Sequence, residues 1–145
     1  MSVSTQNQAQ SLTGGCQCGA VRYVLSVPPS QVYVCHCREC QLQSASAFGI
    51  SAIVAPAHIN IARGTVKTWT RPTSDGGKML CHFCPDCGTR LFHGDLKGDE
   101  PVSVKGGSLD IQPDLSRAKH IWAKRKLEGV IIPEGVAVFD EDPEI

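Results

Sequence analysis

No stretch of this 145-residue chain is apolar for anything near the roughly 20 residues that a membrane-spanning helix requires, which excludes a helical membrane anchor. Neither sign of charge is in surplus. With 14 Lys+Arg against 14 Asp+Glu, the chain has no cationic excess with which to displace counterions from phosphates, so nucleic acid is not an expected partner. Residues 1–13 are polar and rich in Gln and Ser, without the apolar core and cleavage pattern of an export signal, and the expected compartment is the cytoplasm. There is no internal repeat, no low-complexity tract and no linker long enough to separate a second domain from the first. No window sustains apolar spacing at i, i+3, i+4 and i+7, so a helical bundle is excluded as well.

What is present is enough for a core. Hydrophobic residues make up 41% and charged residues 19%, the balance of a folded domain rather than of a disordered chain. Residues 20–27 alternate, with Val21, Tyr23, Leu25 and Val27 on one face and Arg22, Val24 and Ser26 on the other, which predicts a strand. Further β-prone runs fall at 31–35, 47–54, 58–62, 66–71, 78–83, 89–93, 102–105 and 120–124, separated by Gly- and Asp-rich turns. Only 38–46 reads as a helix, of one or two turns. The reading is a mainly β protein with little helix: a disordered polar leader over 1–12, a single domain over 13–139 and a solvated acidic tail over 140–145.

Cysteine is abundant, with eight residues in three clusters: Cys16-Gln17-Cys18-Gly19, Cys35-His36-Cys37-Arg38-Glu39-Cys40, and Cys81-His82-Phe83-Cys84-Pro85-Asp86-Cys87-Gly88. In a reducing compartment such thiols serve as metal ligands or catalytic groups more readily than as disulfides. Zinc takes four tetrahedral thiolate or imidazole ligands, and a short C-x-C or C-x-x-C turn supplies two of them at little entropic cost. The first and third clusters each contain such a pair ending in Cys-Gly, where glycine lets the turn curl so that backbone N–H groups face the sulfurs. Cys16, Cys18, Cys84 and Cys87 therefore make a self-consistent four-sulfur structural site.

Cys35, Cys37 and Cys40 offer only three thiolates. Four protein ligands close a tetrahedral shell, whereas three leave a position for water or substrate. A small thiol bound there would ionise more easily than a free thiol and attack as thiolate. His36, His82 or Cys81 could instead fill the fourth position. In an extended segment His36 would point away from Cys35 and Cys37. Cys81 could complete this site, replace Cys84 in the first, or be a buried small apolar residue. Ser44, Ser46 and Phe48 follow the cluster and could line the site.

Three runs together, Gly14-Gly15-Cys16-Gln17-Cys18-Gly19-Ala20-Val21-Arg22-Tyr23, Cys35-His36-Cys37-Arg38-Glu39-Cys40-Gln41 and Phe83-Cys84-Pro85-Asp86-Cys87-Gly88-Thr89, resemble the glutathione-dependent formaldehyde-activating enzyme family. The likeness extends to Gly106-Gly107-Ser108-Leu109-Asp110 and His120-Ile121-Trp122. The resemblance implies a β-tent of short antiparallel strands stapled by a structural zinc on Cys16, Cys18, Cys84 and Cys87. It implies a second zinc on Cys35, Cys37 and Cys40, which would be the catalytic site. It also implies a carbon–sulfur lyase activity, run in the direction that joins glutathione to formaldehyde, in a monomer or homodimer. Two other readings compete: a non-enzymatic zinc-stabilised binding module, and a redox enzyme similar to B-type methionine sulfoxide reductase with Cys81 as its reactive thiol. A nucleic-acid zinc ribbon ranks last, resting only on Lys119, His120, Lys124, Arg125 and Lys126.

Overall fold

The computed structural model describes residues 12–143. The leader expected over 1–12 therefore lies almost wholly outside the described residues, as do residues 144 and 145 of the acidic tail. The described elements are mostly strands: β1 (Thr13–Gly15), β2 (Arg22–Leu25), β3 (Gln31–Cys35), β4 (Gly49–Val54), β5 (Ile59–Arg63), β6 (Lys67–Pro72), β7 (Lys78–Phe83), β8 (Arg90–His93), β9 (Val102–Lys105) and β10 (Lys119–Ile121). One α-helix, α1 (Arg38–Ser44), follows β3. The strands form a three-stranded sheet, β1-β2-β5, and a seven-stranded sheet, β10-β3-β4-β9-β8-β7-β6. This is the mainly β tent expected, with antiparallel neighbours throughout except at β10, which runs parallel to β3. The chain reaches β10 from far along the sequence, so no tight hairpin dictates its direction.

Between the two sheets lies the core. Alternation in β2 turns Tyr23 and Leu25 inward and leaves Val24 exposed, and Val21 joins them from the preceding turn. Against them the large sheet sets Ala52, Val54, Leu91, Phe92 and Val104. The Tyr23 and Phe92 rings meet edge to face with centroids 5.0 Å apart, a favoured aromatic geometry. Tyr23 carries a hydroxyl into this core and donates it to Ser108 Oγ at 2.7 Å, while Ser108 donates onward to the Lys105 carbonyl at 2.7 Å. The polar atoms are thus satisfied by the turn at Gly106–Ser108 that follows β9.

Local chemistry sets the ends of several elements. Strand β2 stops at Leu25 before Pro28, and Val27, expected to face inward, is at the surface. α1 is capped by Cys37, whose sulfur accepts from the Cys40 N–H at 3.3 Å, and it ends at Ser44, two residues short of the expected 46, because Ala45 takes the left-handed conformation. β10 ends at Ile121 because Trp122 also takes the left-handed conformation (φ 56°) and leads into a 3-10 turn, Ala123–Arg125, rather than a strand to 124. The acidic segment returns to this corner. Trp122 donates its backbone N–H to the Glu141 carbonyl and its indole N–H to Asp142, and Lys124 pairs with Glu141.

The opposite face of the large sheet carries a set of polar side chains among apolar ones. Register places Ser51 opposite Lys105, Ile53 and His93 opposite Ser103, and Arg71 opposite Met79. Cys35, paired with Gly49 at the end of β3, shares that face.

Tyr23→Phe should cost about 1 kcal/mol, the usual net worth of a buried hydrogen bond, whereas Phe92→Ala should cost about 3–5 kcal/mol through lost burial and a cavity. Urea midpoints at matched metal content and unchanged slope will show the two classes of effect.

Candidate metal centres and the adjoining cavity

Two turns of similar build supply the first group. In each, the N–H of the glycine after the second cysteine donates to the carbonyl of the first: Gly19 to Cys16 at 3.2 Å and Gly88 to Cys84 at 2.9 Å. Both glycines sit at φ 81°, a conformation that other residues enter only with strain. The curl directs backbone N–H groups at sulfur, with Val21 N–H 3.2 Å from Cys16 Sγ and the Asp86 and Cys87 N–H groups 3.4 Å from Cys84 Sγ. Gln17 N–H donates to Thr89 Oγ1 at 3.1 Å and joins one turn to the other.

The four sulfurs of Cys16, Cys18, Cys84 and Cys87 lie within 4.8 Å of one another. Cys16 and Cys18 are 3.6 Å apart and Cys18 and Cys84 3.8 Å. A tetrahedron with metal–sulfur bonds of about 2.3 Å has edges of about 3.8 Å, whereas a disulfide needs about 2.05 Å. All eight cysteines are free, and the spacing fits a metal ion. The hydroxyl of Thr89 pulls the Cys87 thiol down to about 5. The Ala20 amide favours ionisation of Cys18, yet burial and the three neighbouring sulfurs hold that thiol up at about 12.

Cys35, Cys37 and Cys40 make the second group, also within 4.8 Å of one another. Cys35 comes from the end of β3, Cys37 from the helix cap and Cys40 from the first turn of α1. Hydrogen bonds from the Cys35 and Cys40 thiols pull Cys37 down to about 2. The same contacts, with burial, push Cys35 well up. Cys40 also stays above its ordinary value, because Cys37 and burial outweigh a favourable hydrogen bond to Cys35. One thiolate is welcome here and the next two are resisted, and a divalent cation bound here would let all three ionise together.

This second group opens onto a cavity of about 660 Å³, a size that suits a small organic ligand. All three cysteines line it. Four cationic side chains, Arg38, Arg71, Lys105 and Arg125, face two carboxylates, Glu39 and Asp142, so the cavity is net positive. Arg71 and Glu39 pair at 3.0 Å. Gly49 packs closely beside the group: a Cβ there would stand a tight 3.2 Å from Cys40 Cβ, with Cys40 Sγ at 3.4 Å and Lys105 Nζ at 3.5 Å in ordinary contact. His93 lines the cavity too. Burial first, and then the charges of Lys105, Arg71 and Arg90, lower it to about 3, so its ring is neutral near pH 7.

The other candidates fall outside both groups. His36 is fully buried and bonds its Nε2 to His120 Nδ1 at 2.8 Å, turned from the thiols as an extended segment requires. His82 uses both ring nitrogens, on Thr68 Oγ1 and the Gly94 carbonyl. Cys81 is buried in β7, its thiol 3.7 Å from the Met79 carbonyl, which matches the small apolar reading and not an accessible redox thiol. Ser44 and Phe48 line a different cavity of about 400 Å³, with Gly49 and Lys105, while Ser46 lines neither of the two. Lys124 and Lys126 are engaged by Glu141 and the Val130 carbonyl, so the basic cluster presents no free stripe. Sequence reasoning missed Arg71, His93, Ser103 and Lys105. The signal was the alternation Val102-Ser103-Val104-Lys105, which means one wet face even though β9 is an inner strand.

Fold and site define a β-tent protein with two cysteine groups able to hold metal ions, one closed by four thiols and one facing a cavity. The chain belongs to the family of glutathione-dependent formaldehyde-activating enzymes, whose profile matches residues 11–125. A solved structure of a Rhodobacter sphaeroides protein is similar in fold, with a TM-score of 0.51 at 21% identity over 88% of this chain and 98% of that one. No helix among the described residues is long and apolar enough to cross a membrane.

Filling the three-cysteine group at pH 7 after mild chelation should release about two protons per ion, from Cys35 and Cys40, since Cys37 is already ionised. Calorimetry in buffers of different ionisation enthalpy counts them. On the protein as purified, a thiol reagent at neutral pH should leave Cys81 unmodified until denaturant is added, as read by mass spectrometry.

Proposed function

We propose that residues 13–139 act as one zinc-dependent unit that adds a thiol, glutathione or one like it, to formaldehyde or another small aldehyde. In this reading Cys16, Cys18, Cys84 and Cys87 hold a structural zinc, and Cys35, Cys37 and Cys40 hold the zinc at which chemistry occurs. The observation that carries it is the placement of three ionisable thiols, with no fourth ligand grouped with them among the described residues, on the wall of a positively charged cavity of about 660 Å³. The family match is its second support.

The donor set fits the metal: soft thiolates at the spacing of tetrahedral coordination select zinc over hard cations. A zinc ion held there would favour the ionised form of a thiol brought to its open position. The remaining tasks belong to side chains. Lys105, beside Cys40, and the arginines of the cavity attract an acidic thiol and raise its local concentration. The walls, including Trp122, orient sulfur and aldehyde against each other. In the reaction the sulfur forms a bond to the carbonyl carbon, the C=O π pair moves onto oxygen, and the proton given up by the thiol ends on that oxygen. Atoms balance without oxidant, reductant or leaving group, and the reverse direction is the carbon–sulfur lyase reaction.

The protein should consume formaldehyde with glutathione faster than the spontaneous reaction. Cys37→Ser should remove that excess and one of two zinc equivalents while leaving the fold intact. Cys84→Ser should lose the other equivalent together with cooperative unfolding. Full rate in Cys37→Ser would remove the three-cysteine site from the mechanism.

A further inference from the structure

Three buried polar atoms on one stretch of the cavity floor have no hydrogen-bond partner: Arg71 Nε, His93 Nε2 and Ser103 Oγ. Such atoms are rare because burial strips them of water, and three of the six among the described residues gather on residues of one cavity, which marks it as a candidate place for a ligand. Each belongs to a residue lining the cavity of the three-cysteine group. Register brings them together. His93 of β8 stands opposite Ser103 of β9, and the row continues through Cys81 to Trp69 of β6, two residues from Arg71. Strand alternation therefore puts all three on the same face as Cys35.

Their chemistry narrows the ligand. Arg71 Nε can only donate, and its Nη1 is already committed to Glu39. The Ser103 hydroxyl can donate, and neutral His93 can carry its one proton on Nε2. The cavity's cations outnumber its carboxylates, with Lys105, Arg38 and Arg125 beyond the Arg71–Glu39 pair. Donors gathered on one sheet face in a positive field match a group with two anionic oxygens. We propose that Arg71, His93 and Ser103 form a carboxylate-binding subsite on the cavity floor, which holds one end of an acidic thiol while its sulfur reaches the three-cysteine group. The thiol half rests on the function proposed above. The carboxylate half rests on the three atoms alone.

The test uses the zinc-loaded full chain and calorimetric titration with glutathione and with its glycyl and γ-glutamyl monoesters. Esterifying the carboxylate that occupies the subsite should weaken binding about tenfold or more, and the sensitive ester identifies which carboxylate it is. Ser103→Ala, a small change that leaves the sheet intact, and Arg71→Gln should both abolish that discrimination, while Glu39→Gln should retain it. Glutarate, which has no sulfur, should raise the thermal midpoint of the wild type and not of Ser103→Ala or Arg71→Gln. Equal binding of glutathione and both esters, unchanged in the variants and with no effect of glutarate, would overturn the subsite and leave the thiol reaction standing. Failure of glutathione to bind, with the glutarate effect still present and still lost in the variants, would overturn the thiol reading and support the subsite.

Discussion

The structure depends first on one constraint, the convergence of four thiols from two turns 66 residues apart. The turn holding Cys16 and Cys18 lies between β1 and β2 and so belongs to the small sheet; the turn holding Cys84 and Cys87 lies between β7 and β8 of the large one. Fixing the sulfurs at 3.6 to 3.8 Å fixes the sheets against each other. Closing a loop of that length is entropically costly for an unfolded chain, and a metal held only by the assembled thiols would offset it. The core between the sheets holds few large side chains beyond Tyr23, Leu25, Leu91 and Phe92, so the clamp matters more here than in a larger hydrophobic core.

That clamp frees the other face of the large sheet. Because the core is built on one side, alternate residues of β4, β6, β8 and β9 lie outside it, and Ser51, Arg71, His93, Ser103 and Lys105 stand there. Polar side chains on inner strands lower the stability of a sheet that buries both faces. Here they make the floor of a cavity, and the loop carrying Cys35, Cys37 and Cys40 makes its wall. The two cysteine groups thus occupy complementary positions, one where the sheets must be joined and the other where one sheet is left open.

Local information in the sequence went far for the cysteines and for the strands. Short turns such as Cys84-Pro85-Asp86-Cys87-Gly88 carry their geometry within five residues, and the hydrophobic alternation of β2 states which face is buried. Strand β1 was invisible because Thr13-Gly14-Gly15 has little β propensity. It exists because Gly14 has no side chain: a Cβ there would fall 2.3 Å from the Tyr23 hydroxyl. The cavity floor was illegible for a different reason. Arg71, His93 and Ser103 become neighbours only through the pairing order β9-β8-β7-β6, which no local pattern specifies. For the same reason Ser44 and Phe48, adjacent to the cluster in sequence, turned out to line the neighbouring cavity.

The second group of cysteines is supported from behind. The parallel pairing of β10 with β3 sets Ile121 opposite Cys35, and the His36 N–H donates to the Ile121 carbonyl at 3.0 Å. Gln41 then bridges from its side chain to the His36 carbonyl at 2.9 Å and the Arg125 carbonyl at 3.0 Å, tying α1 to the turn after β10. The His36 ring is held against His120 on the far side of the strand, stacked at 5.1 Å and hydrogen-bonded, so the imidazole between Cys35 and Cys37 cannot swing toward the sulfurs without breaking a buried pair. The same corner projects Trp122 and Arg125 into the cavity. One set of hydrogen bonds therefore holds the His36 imidazole away from the three thiols and places two walls of the cavity that they face.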